Sequence, residues 1–126
     1  MFDRDTASRS LGLELLDAGN GQATVRMRVT SDMVNGHGIT HGGFIFMLAD
    51  TAFACACNSH GPVTVAAGAD MNFVRATGPG DVLTAFARET VTRGRSGIYD
   101  VTVTRDGEVV AEFRGRSRVI GEGSTT

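Results

Sequence analysis

Lysine and tryptophan are absent from this chain, and tyrosine occurs once. All twelve basic residues are therefore arginines, side chains suited to gripping phosphates and carboxylates through paired donors. The formal net charge is only −2, which gives no global affinity for nucleic acid or an anionic membrane. Without lysine there is no Gly-Lys-Ser/Thr signature, so the glycine-rich stretch described below is not a Walker loop. Only two cysteines occur, Cys55 and Cys57, inside an apolar run. Residues that close on a helix do not face each other, so a disulfide between them is not expected. Both read as core thiols, in keeping with a reducing cytosol. No apolar run reaches the ~20 residues a membrane span needs. The best stretch, 44–57, carries Asp50. The first ten residues are polar, so no secretory leader is expected and a cytoplasmic protein is. Repeats and low-complexity tracts are missing too, apart from a tail at 121–126 that reads as frayed.

What is present fits one domain over residues 1–126, with 41% hydrophobic residues. Residues 3–10 read as a short helix or arm. Leu11–Leu16 reads as a strand and Asp17–Gly21 as a turn. Ala23, Val25, Met27 and Val29 then alternate with polar residues, the pattern of a half-buried strand, and the pair reads as a hairpin. A helix is predicted from near Gly42 to near Asn58, stopped by Gly61-Pro62. It is apolar all round, so burial on most sides is expected. Four strands follow: 63–75 with a kink or bulge at Gly68, 81–92, a third from Ile98, and 108–120. Asp106-Gly107 marks a hairpin turn, and the four strands read as a short-turn meander. One helix among antiparallel strands is an α+β architecture, with a curved sheet of about 5–6 strands wrapped around the helix. Such a sheet covers one flank only, so a dimer is expected.

The stretch from Asn35 to Asn58 carries the chemistry. Gly42 and Gly43 open the helix, so their amides lack an intrahelical partner. The helix dipole adds to their pull on negative charge, making an oxyanion hole. Asp50 is the natural base or nucleophile, since a mid-helix carboxylate among Leu48, Ala49, Ala52 and Phe53 is costly unless paired or used. Burial would raise its pKa and a facing helix N-terminus would lower it; sequence leaves that balance open. Asp50 lies eight residues beyond Gly42, about 12 Å along the axis. One chain therefore cannot bring both groups to one carbonyl, whereas two antiparallel helices across a two-fold axis can. His37 and His41 have ligand-like spacing, but no third residue completes a metal set, so no metal is expected. His60 reads as a helix-end residue.

The helix in a curved sheet resembles the hotdog fold. The motif Asn35-Gly-His-Gly-x-x-His41-Gly-Gly43, followed by Leu48-Ala-Asp50-Thr-Ala-Phe-Ala-x-Ala-Cys-Asn58-Ser, resembles the acyl-CoA thioesterases of phenylacetic acid degradation. Asp70-Met-Asn-Phe-x-Arg75, Gly80-Asp81, Gly97-x-Tyr99-Asp100 and Phe113-Arg-Gly115 match as well, so the resemblance covers roughly residues 10–120. It implies that Asp50 is the catalytic carboxylate, that the Gly42 amide polarises the thioester carbonyl, and that His41 and Asn35 orient substrate or water. It also implies aryl- or hydroxyarylacetyl-CoA substrates, no cofactor beyond the coenzyme A of the substrate, and homotetramers built as dimers of dimers with shared sites. Gly43, Thr51, Asp70, Asn72 and Phe73 are candidate pocket residues, and Arg75, Arg93 and Arg95 candidate partners for the CoA phosphates. Two rivals are a hotdog hydratase or dehydratase using His41 for proton transfer, and a non-catalytic acyl-CoA-binding module.

Overall fold

The computed structural model describes residues 1–121; the expected tail lies outside them from residue 122 on. Its sheet grows from hairpins that the sequence marks with residues tolerant of positive φ. Asn20 (φ 54°) and Gly21 (φ 77°) join β1 (Glu14–Gly19) to β2 (Gln22–Arg28). Asp106 (φ 52°) and Gly107 (φ 83°) join β5 (Ser96–Arg105) to β6 (Glu108–Val119). Two-residue turns with both φ positive match the twist of the strands they connect. β1 begins later than the pattern predicts and runs further. A bulge at Leu16 keeps it paired up to Gly19, so the turn shrinks from five residues to two.

All six strands form one antiparallel sheet in the order β1-β2-β4-β5-β6-β3, where β3 is Thr64–Phe73 and β4 is Val82–Arg93. The expected four-strand meander is therefore wrong in one respect. β3 does not lie beside β4; it pairs with β6 at the sheet edge, with a bulge between Ala66 and Gly68. Segment 74–81 carries the chain from that edge back to β2. Val74 N–H donates to Val110 O at its start, and Val29 N–H donates to Asp81 O at its end. Asp81 fastens this connection by accepting from Gly78 N–H and from Arg105.

The long helix, α2 (Gly42–Asn58), has the predicted bounds. Its Leu48, Ala49, Ala52, Phe53 and Ala56 are buried against the inward residues of β2, β4, β5 and β6, among them Val25, Leu83, Val101 and Phe113. Each large side chain so buried contributes about 1.5–3 kcal/mol. Phe53 can lie on β6 because position 115 is glycine: a Cβ there would sit 2.8 Å from three Phe53 ring atoms. Ser59 ends the helix and ties it to the first hairpin, accepting from Gly21 N–H while donating to Ala56 O. The sheet covers one flank only. Gly43 and Phe46 are exposed, and Met47, Asp50, Ala54 and Asn58 half-buried, along the opposite stripe. The N-terminal residues do form a short helix, α1 (Thr6–Ser10), which packs on α2.

Candidate active site

The loop before α2 is a small hairpin of its own. Asn35 N–H donates to Ile39 O, and the Asn35 side-chain Oδ1 accepts from the N–H groups of His37 and Ile39. That folds the glycine-rich turn and leaves the Asn35 Nδ2 donors without an acceptor among the described residues. Buried Thr40 anchors the loop to the 74–81 connection: its N–H donates to Thr77 O, and its hydroxyl accepts from Thr77 Oγ1 at 2.7 Å.

His41 is the N-cap of α2, and its Nδ1 accepts from Gly43 N–H at 3.0 Å. This bond sharpens the expectation from sequence. The Gly43 amide is engaged, so it is not free to meet a ligand. The Gly42 N–H has no acceptor among the described residues and sits where the helix dipole is most positive. With Nδ1 accepting, the neutral His41 ring carries its proton on Nε2 and presents a donor. Phe73 packs over Gly42 so closely that a Cβ there would lie 2.9 Å from its Cζ. Gly42, Asn35, Phe73 and Arg75 share one cleft of about 390 Å³, within the range of small-ligand pockets.

Asp50 opens elsewhere. It lines a second cleft of about 320 Å³ with Met1, Phe53, Ala54, Cys57 and Val65. It accepts no hydrogen bond from the described residues. Burial, and next the negative charge of Asp5, raise its pKa above the ordinary carboxylate value. The far end of this cleft is built by Asn58, whose amide donates to Ala54 O and Thr64 O and accepts from Thr64 N–H. Cys57 lines the cleft as an inert thiol: burial pushes its pKa up to about 12, and Cys55 and Asp50 add to this. The Gly42 amide and the Asp50 carboxylate thus face two separate clefts of the same chain.

Other candidate residues divide sharply. Phe73 and Arg75 belong to the Gly42 cleft; Arg75 also donates to Val109 O. Thr51 lines neither cleft of this chain: it is buried, and its hydroxyl bonds Ser8 Oγ at 2.7 Å. Asp70 and Asn72 point to the outer face of the sheet, where Asp70 pairs with Arg116 and Asn72 lies opposite Glu112. The period of two along β3 puts them on the side away from the helix once Phe73 faces it. Arg93 and Arg95 are not brought to Gly42. They lie at the β4–β5 turn, where Arg95 and His60 line a further cavity by the helix C-terminus. Among the described residues no three metal-ligating side chains converge, and no helix is long and apolar enough to cross a membrane. The sequence reading missed the part played by Asp5, Ser8 and Met1 beside the Asp50 cleft. Their only signal was an N-cap pattern, Asp5 three residues before Ser8, in a stretch otherwise without periodicity.

Residues 37–112 match the sequence model of the thioesterase superfamily. The acyl-coenzyme A thioesterase PaaI of Escherichia coli K12 is 43% identical over 122 residues, spanning 96% of this chain and 87% of that protein. The solved structure of E. coli PaaI, from the phenylacetic acid degradation operon, superposes with a TM-score of 0.95 at 41% identity, over 98% of this chain and 90% of that one. A Thermus thermophilus protein superposes with a TM-score of 0.90 at 39% identity, over 93% and 99%. A Streptococcus mutans protein solved with acetyl-CoA bound superposes with a TM-score of 0.85 at 26% identity, over 89% and 91%.

Proposed function

Since the chain belongs to the thioesterase superfamily, with a hotdog fold and the activity of an acyl-CoA thioester hydrolase, we propose that its two clefts are the halves of one hydrolytic site completed by a second copy. The carrying observation is the half-buried Asp50, without a hydrogen-bond partner among the described residues, in an apolar cleft remote along its own helix from the Gly42 amide, which has no acceptor among them either. Antiparallel pairing of two α2 stripes places Gly42 of one protomer over the partner's Asp50. The exposed apolar residues Phe46 on that stripe, and Val65 and Phe73 on edge strand β3, support such a dimer. Further pairing of dimers gives the tetramer.

In the reaction the thioester carbonyl oxygen accepts from Gly42 N–H, where the helix dipole stabilises the charge that develops as the carbonyl carbon becomes tetrahedral. Ionised Asp50 delivers the attack, on the carbon itself or through a water whose proton it takes. Coenzyme A leaves as the thiol and the acyl group as the acid. Asn35 Nδ2 and His41 Nε2–H hold the carbonyl or the water. His41 does not act as a base in this role, because its lone-pair nitrogen is occupied by Gly43, and this also argues against the hydratase reading. The acyl group occupies the apolar cleft of Phe53, Ala54 and Val65, roomy enough for an aryl ring. Arg75, in the Gly42 cleft, is the arginine placed to meet the coenzyme A arm. An arylacetyl group, phenylacetyl or hydroxyphenylacetyl, is the proposed substrate, by analogy with the E. coli relative. The reaction needs no cofactor and no metal, and takes place in the cytoplasm, where the buried free thiols stay reduced.

Thiol release measured over a panel of acyl-CoAs tests the substrate class: arylacetyl-CoA should lead, and a preference for long aliphatic chains would overturn it. Asp50→Asn should abolish turnover in a folded, assembled protein, and near-normal kcat would sink the mechanism. Mixed dimers of Asp50→Asn with a Gly42→Val chain should regain partial activity, since one of their two sites is intact. No recovery in verified heterodimers would refute the shared site.

A further inference from the structure

The N-terminal residues are bound more tightly than their exposure requires. Asp5 caps α1, accepting from Ser8 N–H at 2.9 Å and from Ser8 Oγ at 2.6 Å. Ser8 is wholly buried, and its hydroxyl reaches on to Thr51 Oγ1 at 2.7 Å. Thr51 is itself buried and immediately follows Asp50. Capping a single-turn helix explains the first two bonds, but not a buried hydroxyl bridge into the middle of another helix. Met1, at the start of the same segment, lines the Asp50 cleft. A second carboxylate is thus tied to Ser8 by two hydrogen bonds, and through Ser8 by a third to Thr51, the neighbour in sequence of the one carboxylate that the proposed chemistry uses.

We propose that Asp5 is a positioning residue for hydrolysis: the Asp5–Ser8–Thr51 relay locks the N-terminal segment onto α2 as a wall of the Asp50 cleft and fixes a negative charge next to Asp50. This inference rests on the reading of Asp50 as the attacking carboxylate. Two like charges held close disfavour ionisation of the more buried one and make it the stronger base. The electrostatics agree with the geometry, since Asp5 is the charge that adds to burial in raising Asp50. The same charge helps to raise Cys55 to about 11, after burial, while the Met1 amino group opposes it. Among the described residues the Asp50 cleft is lined by two other titratable residues, Met1 with its amino group and Cys57 from α2, and Asp5 is the further charge that acts on Asp50; β3 contributes Thr64, Val65 and Ala66, none of them charged.

Asp5→Asn separates charge from scaffold. Asparagine is as good an N-cap as aspartate, so the segment stays docked while its charge is lost. With the full-length protein in its assembled form, kcat/KM for phenylacetyl-CoA is measured against pH by thiol release. Activity falls on the acid side as Asp50 takes up its proton, so the acid limb of Asp5→Asn should move to lower pH, with the neutral-pH plateau kept within about twofold. Ser8→Ala, which cuts the relay to Thr51, should move the limb the same way and also weaken substrate binding through the loosened wall. An acid limb unmoved in both variants overturns the inference. A purely structural role would lower the plateau without moving the limb, and that result overturns it too. Asp50→Asn, run alongside, keeps the two claims apart. If it is inactive while the limb stays put, only the Asp5 inference fails. If it retains turnover, the reading of Asp50 fails.

Discussion

His41 caps α2, and the proposed mechanism gives it a second task; a pair of substitutions can separate the two. Its Nδ1 accepts from Gly43 N–H at 3.0 Å and caps α2, while its Nε2–H is free to meet substrate. His41→Ala removes both. Loss of an N-cap acceptor costs about 1 kcal/mol, which for a chain of this size lowers Tm by about 3–5 °C. In the proposed mechanism the second loss is of a donor to an oxygen that gains charge in the transition state, worth about 1.5–3 kcal/mol. That corresponds to a fall of about ten- to hundredfold in kcat/KM. His41→Asn restores an N-cap acceptor of nearly equal quality, but its amide is too short to reach where Nε2 stood. The expected pattern is therefore a Tm near wild type for His41→Asn and below it for His41→Ala, with both slow on phenylacetyl-CoA. Thermal unfolding and thiol-release kinetics on the same preparations decide. Wild-type kcat/KM in His41→Asn would confine the residue to capping, and an unchanged Tm in His41→Ala would show that the Gly43 bond does not hold the helix start.

Gly115→Ala puts a Cβ 2.8 Å from the Phe53 ring on a backbone that cannot retreat. It should destabilise by about 1–3 kcal/mol, as read by denaturant unfolding, and Phe53→Leu should relieve part of the loss. Asp50→Asn should be inactive yet more stable than wild type at neutral pH. A carboxyl whose folded-state pKa is raised stabilises the fold below its unfolded value and loses that contribution as pH rises through the folded value. The stability gain of the amide should therefore vanish in Tm measurements below about pH 4. Cys55 and Cys57, pushed up to about 11 and about 12 chiefly by burial, should resist iodoacetamide at pH 8 in the native protein and react on unfolding, as mass spectrometry would read.

The helix and its bounds were legible because its signals are local: a glycine pair after a histidine at one end, Gly61-Pro62 at the other, and an apolar run between them. The β2 face, the Gly68 bulge and the Asp106-Gly107 turn were legible for the same reason. Strand neighbours were not. Nothing in the 74–81 segment marks that β3 pairs with β6 rather than β4, since the pairing joins strands far apart in the chain. At the site the motif pointed to Asn35, His41, Gly42 and Asp50, and the structure gives each a distinct place. Phase errors account for Asp70 and Asn72, because Phe73, packed on the helix start, fixes which alternate side chains face inward. Thr51 failed for another reason. Its partner, Ser8, lies 43 residues away in a segment with no periodicity of its own.

The apolar character of α2 on every side now has two separate causes. On the sheet side Leu48, Ala52 and Phe53 are apolar because they are core. On the open side Gly43, Phe46, Met47 and Ala54 share a stripe with one carboxylate, and apolar residues there are a liability in an isolated chain. Covering that stripe with the same stripe of a second copy would remove the liability and dry the cleft. Drying alone would make ionised Asp50 costlier still. In the proposed pairing, the surface that excludes water also brings the positive end of the partner's helix to the carbonyl under attack. The charge that leaves Asp50 as it attacks is then received by a preorganised amide rather than by water. Assembly and catalysis would draw on the same side chains, which explains why the motif runs unbroken along the helix instead of being confined to its first turn.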